Sequence, residues 1–367
     1  VKSNSTVPQQ MVNSVVNANN NDMDTVKNNK KSPVVLTTET LNPLPSPYNN
    51  IDEFVLGDVH ISIDTATRLH TIFVTDYLPY FPIMYTNSVT ELYSQSQLLF
   101  WTVMLTACLS DPEPTLYNKL SVVIKQLAIE TCWMRTPRST HITQALLILC
   151  IWPLPNQKVL DDCSYRFVGL AKSLSYQLGL HRGEFITEFT RSQTSMPNAE
   201  KWRTRTWLGI YFAELCWASI LGLPPTSKTD YLVENALKCR VEEDTVEPTT
   251  SEPDTADKNS NDTNGNTNDE PKMHLPSRFK KMISLSHFQL KLCNVMGSSV
   301  TSPDGLIGPK ERAGVLSVLN KELDELSNVS NFETSTDVNI YYLYVRLMVY
   351  CFAFFPETPI EDQAKYI

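Results

Sequence analysis

Leu160-Asp161-Asp162-Cys163-Ser164-Tyr165-Arg166-Phe167-Val168-Gly169-Leu170-Ala171-Lys172-Ser173-Leu174-Ser175-Tyr176-Gln177-Leu178-Gly179-Leu180-His181-Arg182 is the most informative run of the chain. After a polar stretch come Trp202-Arg203-Thr204-Arg205-Thr206-Trp207-Leu208 and an apolar run closed by Leu221-Gly222-Leu223-Pro224-Pro225. Leu160, Cys163, Phe167, Leu170, Leu174 and Leu178 recur at steps of three and four, which predicts a helix over about Val159–Leu178. Asp161 and Asp162 fall in its expected first turn, where the helix dipole favours negative charge. Gly179 followed by Leu180 predicts a left-handed C-cap whose next residue packs back on the helix. A second helix is predicted over Glu200–Leu221, stopped by Gly222 and prolines.

Outward from this stretch the pattern stays helical. Helices are predicted at Thr65–Tyr77, Gln97–Leu109, Leu116–Thr131, Thr140–Ile151, Phe279–Met296, Lys310–Leu326 and Val338–Phe355. Gln97–Leu109 is apolar nearly all round, as a buried helix is. Strand signals are almost absent, and 11 Gly in 367 residues disfavour a turn-rich β fold. The expected class is all-α and multi-helical, one domain over residues 51–367. Residues 1–50, rich in Asn, Ser and Thr, have too little apolar surface to offset chain entropy and are expected to be disordered. Residues 242–271 read as a disordered acidic insert within that domain. The chain opens on Val1 rather than Met, which reads as a fragment or a processed product.

Charge and chemistry narrow the function. The net charge is −9, and residues 241–270 supply all of it with ten acidic side chains against Lys258. The rest is neutral, without the basic field that nucleic-acid binding needs. The eight cysteines show no zinc or redox spacing and read as reduced, buried thiols. Ile340–Phe355 is too short to span a membrane and holds Arg346. Six scattered histidines, no nucleophile elbow and no phosphate loop give no support for catalysis, and no metal site is expected. Arg278, Lys280 and Lys281 read as a solvated face, and Arg135 with Arg138 as a basic turn.

Several elements, in order, resemble the middle regulatory region of the fungal zinc-cluster transcription factors. Tyr80-Phe81-Pro82-Ile83 is similar to that family's Phe-Pro-Ile turn, Gln144 to Leu149 to its Gln-Ala-Leu helix, and Gly179 to Arg182 to its most characteristic helix end. Arg203-Thr204-Arg205-Thr206-Trp207 and Gly222-Leu223-Pro224 resemble its Arg-x-Arg-x-Trp-Trp and Gly-Arg-Pro elements, departing at Leu208, Glu214 and Leu223. The resemblance implies a nuclear, non-enzymatic regulator that pairs as a homodimer at full length and engages transcription machinery or co-regulators. It also implies that DNA and zinc are bound only through a six-cysteine cluster that this sequence lacks. Within the family the match is greatest to regulators of leucine biosynthesis. A small carboxylic acid is thereby implied as effector, with α-isopropylmalate the leading candidate.

Where would such an acid bind? Arg203, Trp207, Tyr211 and Glu214 share a helix face, so that Arg203 could stack on Trp207. That face reads either as the wall of an effector pocket or as a helix–helix seam. His181 and Arg182 either cap the preceding helix or recognise an anion, Arg182 offering a bidentate fork. The candidate ligand-binding residues are therefore His181, Arg182, Arg203, Trp207 and Tyr211. A scaffold that masks an activation segment or holds a co-regulator, with no ligand, is the competing reading.

Overall fold

The computed structural model describes residues 52–85, 88–112, 114–134, 139–156, 158, 161–183, 189, 196, 198–242, 273–355 and 357–367. The segments expected to be disordered, 1–50 and all of 242–271 but Glu242, lie outside the described residues, as do Arg135, Arg138 and Leu160. From Ser46 onward the chain forms one unit by its internal contacts.

A β-hairpin comes first, one of two short strand pairs among the described residues. β1 (Glu53–Leu56) pairs antiparallel with β2 (Val59–Ser62), Phe54 facing Ile61. Alternation buries Phe54, Val59 and Ile61, while Gly57, at φ +57, supplies the positive angle of the two-residue loop. A second, parallel pair joins β3 (Arg240–Glu242) to β4 (His274–Pro276). Everything else regular among the described residues is helical, so the all-α class stands.

The helical body builds from α1 (Ile63–Ile72), α2 (Val89–Gln95), α3 (Gln97–Ala107), α4 (Thr115–Ile129) and α5 (Thr140–Ile151). The hydroxyls of Ser62, Ser88, Ser96 and Ser139 each accept a backbone N–H at a helix start, satisfying donors the helix cannot. The expected Thr65–Tyr77 helix is α1 followed by a π turn over Phe73–Tyr77, broken at Pro79. Every residue from Leu98 to Ala107 is buried, as the unpatterned apolar run required, and α3 packs on α5, which is also buried nearly all round.

α6 (Ser164–Gln177) and α7 (Ala199–Ile220) lie against α5, and α7 also packs on α9 (Ser277–Met296). Gly209 permits the close approach of α7: a Cβ there would come within 2.9 Å of Ile83 and 3.0 Å of Phe81. α8 (Tyr231–Lys238) leads toward the β3–β4 clasp, and α10 (Pro309–Ser330), α11 (Thr336–Ala353) and α12 (Ile360–Gln363) complete the described chain. α11 packs on both α9 and α10.

One helix start differs from expectation. α6 begins at Ser164, so Asp161 and Asp162 precede its first turn rather than occupy it. Asp162 Oδ1 instead accepts the Ser164 N–H at 2.6 Å, a local capping bond.

Candidate functional site

The end of α6 sets up the site. Gly179 turns left-handed at φ +68, and Leu180 packs back into the core with no exposure, as Gly-Leu predicted. A 3-10 turn over Leu180–Arg182 then brings the His181 ring toward α7. Its centroid lies 5.0 Å from Tyr176, 5.8 Å from Trp207 and 6.1 Å from Phe189. Tyr176 and Trp207 meet edge to face at 5.2 Å. His181 Nδ1 is buried and has no hydrogen-bond partner among the described residues. Burial holds this imidazole's pKa below the usual histidine value; Arg182 adds to the effect and Asp230 opposes it. Arg182 itself is exposed.

Each polar residue on the α7 face serves a different distant segment. Arg203, buried, donates to the Leu178 carbonyl at 2.6 Å, closing the end of α6. Burial lowers its pKa to about 10, so it stays charged at neutral pH. The cation–ring contacts at this end of α7 fall on Trp202 instead of Trp207, from Lys201 at 5.5 Å and Arg205 at 5.3 Å. Trp207 donates from Nε1 to Asp230 Oδ2 at 2.7 Å, while Asp230 Oδ1 accepts the Val233 N–H and caps α8. The Tyr211 hydroxyl sits 3.5 Å from His287 Nδ1 on α9, and burial raises its pKa. Glu214, 2% exposed, accepts from the Thr226 N–H, the Thr226 hydroxyl and the Ser227 N–H at 2.8, 3.0 and 3.1 Å. Lys172 on α6 donates to the hydroxyls of the same two residues.

The geometry therefore gathers His181 and Trp207 with Arg182 at the rim, and spends Arg203, Tyr211 and Glu214 on holding segments together. Tyr176, Asp230, Lys172 and His287 were not anticipated. Asp230 alone carried a local signal, an Asp three residues before Val233 in an apolar run.

Residues 71–351 match the model of the fungal specific transcription factor domain. The chain belongs to that family. It is 71% identical over 350 residues to SEF1 of Saccharomyces cerevisiae, covering 95% of this chain and 30% of that protein. Against the transcriptional regulatory protein SEF1 of Candida albicans the identity is 53%, covering 94% of this chain and 34% of the relative. The regulatory protein LEU3 of Saccharomyces cerevisiae is 23% identical over 87% of this chain. That likeness is distant beside the SEF1 relatives and lends no support to a leucine-pathway role. The chain spans about a third of the length of these relatives. No solved structure matches.

Elsewhere in this transcription factor domain, the basic cluster is structural. Arg278 pairs with Asp337 at 3.4 Å and lies over Tyr80, Lys280 donates to the Cys239 carbonyl, and Lys281 to Asn331 and Thr334. No group of His, Cys, Asp and Glu fit for a metal gathers among the described residues. Two hollows lie away from the candidate residues. A cleft of about 600 Å³ is bordered by Asp58, His60, Arg68, Asp111 and Lys119, and an apolar groove of about 240 Å³ by Ala128, Ile129, Trp133, Phe167 and Leu170.

Proposed function

We propose that this chain is the effector-sensing part of a fungal transcription factor, and that a small carboxylic acid binds where the α6 end meets α7. The observation that carries the reading is His181 Nδ1, buried without a partner against the Trp207 and Tyr176 rings, with Arg182 beside it. A carboxylate supplies the missing acceptor for a protonated imidazole, and the guanidinium offers a second, forked contact. Arg203, Tyr211 and Glu214 act behind this site: they connect α7 to the end of α6, to α9 and to the 226–227 loop, so an occupant could bias all three. α-Isopropylmalate is not singled out among these acids, since the 23% likeness lends it no support. Zinc, DNA contact, nuclear residence and pairing as a homodimer belong to this proposal for the full-length factor.

The test is calorimetry with a panel of branched and dicarboxylic acids. Binding of one of them should weaken about tenfold in Arg182→Lys, which keeps the charge and loses the fork. Because burial depresses the His181 pKa, binding that protonates it should tighten as pH falls toward that pKa. If no acid of the class binds at millimolar concentration, the sensor reading is wrong.

A second reading, a ligand-independent scaffold that masks an activation segment or holds a co-regulator, is favoured by the apolar groove at Ala128, Ile129 and Phe167. Trp133 at its edge is 76% exposed.

A further inference from the structure

The cleft of about 600 Å³ beside the hairpin lies apart from the α6–α7 site, and its volume falls in the range of small-molecule pockets. It exists because the hairpin stands on α4. A Cβ at Gly57 would meet Val123 at 3.6 Å, so the loop touches that helix one turn beyond Lys119. Asp58 and His60 from the hairpin, Arg68 from α1, Asp111 from the turn before α4 and Lys119 from α4 then border one hollow, with Val59 and Leu116 as its apolar part. These charges are unequally employed. Asp111, its side chain 14% exposed, holds one terminal nitrogen of Arg68 at 3.0 Å and so fixes the guanidinium, whose other N–H groups have no partner among the described residues. His60 Nδ1 lies 3.4 Å from Glu53. The Lys119 ammonium and the Asp58 carboxylate make no hydrogen bond or ion pair among the described residues.

A cation pinned by a carboxylate, a free cation on a second helix and a free carboxylate on the hairpin describe a ligand with two unlike ends. A carboxylate ligand is held best by an open guanidinium fork, and Asp111 already occupies part of that fork. Single donors from Arg68 and Lys119 suit instead a group with three acceptor oxygens, a phosphate. The first turn of α4 holds no acidic side chain, so its N–H groups add to this preference rather than create it. A bare phosphate fills little of the hollow and gains nothing from Asp58, whereas a carboxylate accepts readily from hydroxyls. We propose that this cleft binds a phosphorylated polyhydroxyl metabolite, with the phosphate between Arg68 and Lys119 and a hydroxyl on Asp58. This is a second ligand site, and it does not rest on the effector reading at His181.

Calorimetry of the chain tests it with ribose 5-phosphate, glucose 6-phosphate and glycerol 3-phosphate, beside inorganic phosphate and malonate. The expected result is that one of the three esters binds with a Kd below about 1 mM, and inorganic phosphate and malonate at least about fivefold more weakly. Lys119→Gln should weaken the ester about tenfold, and Asp58→Asn about threefold while leaving inorganic phosphate bound no more weakly. Both side chains are exposed, so far-ultraviolet dichroism and the urea midpoint should stay unchanged. Arg182→Lys should leave ester binding unaltered, which separates this site from the one at His181. Failure of all three esters to bind at millimolar concentration overturns the proposal, and so does binding that Lys119→Gln does not weaken. Malonate bound as tightly as the ester overturns the phosphate assignment. Inorganic phosphate bound as tightly, or weakened equally by Asp58→Asn, overturns the polyhydroxyl one.

Discussion

α7 and α11 are both long helices of one unit, and each inverts what its sequence suggests. α7 carries Arg203, Thr204, Arg205, Thr206 and Glu214, residue types that belong at a surface, yet all five are buried. α11 is richer in Leu, Ile, Val, Tyr and Phe, yet Ile340, Leu343 and Leu347 face water. The difference lies in hydrogen bonding. Arg203, Thr206 and Glu214 each have a backbone or hydroxyl partner, so burial does not strip these side chains of hydrogen bonds. An exposed aliphatic seam has no such remedy short of contact with another surface. Polar residues can therefore mark the interior of a fold, and apolar ones its unfinished edge.

The largest effect that would break this comparison is at Glu214. Glu214→Ala strips the Thr226 and Ser227 N–H groups of their acceptor and should cost about 3 kcal/mol, read as a lower urea midpoint at unchanged slope. A loss under about 1 kcal/mol would mean that the buried polar face is incidental to stability.

Acid sharpens the contrast next. His141 on α5 is 1% exposed, and burial lowers its pKa to about 4. The folded chain thus prefers the neutral ring. That preference contributes fully above the unfolded pKa near 6.5 and is lost as pH falls toward about 4, up to roughly 3 kcal/mol. His141→Gln should flatten the stability profile across this window, and an unflattened profile would assign the acid sensitivity to other groups.

The smallest effect is expected on the exposed face of α11. Leu347→Ala should shift stability by no more than about 0.5 kcal/mol, because the side chain is 57% exposed and little burial is lost. A shift of about 2 kcal/mol or more would show that the side chain is already covered.

Sequence reading succeeded where structure is decided locally. The Thr140–Ile151 helix has the predicted bounds because Ser139 caps one end and Pro153 follows the other. The Gly179 turn needed only a positive φ and a packing leucine. The hairpin at Gly57 and the short helices α2 and α8 were missed, since runs of four to eight residues hardly establish a period. At the site, helical spacing correctly put Arg203, Trp207, Tyr211 and Glu214 on α7 but could not name their partners. Leu178, Asp230 and Thr226 come from other segments, and only the packing of α6, α7 and α8 brings them near.

The parallel pairing of β3 with β4 has a consequence for how the gene can vary. Arg240 sits beside His274, so the described residues on either side of 243–272 are held at nearly one place. Arg205 grips the His274 carbonyl and Lys280 the Cys239 carbonyl, so α7 and α9 fasten both sides of the gap. For any flexible loop joined between two such ends, doubling its length costs only about 0.6 kcal/mol in closure entropy. Insertions and deletions of flexible sequence at this point are therefore expected to be nearly neutral for the helices, which urea unfolding of a length series would check. The same clasp is a natural port for grafting a reporter domain into the protein without opening its core.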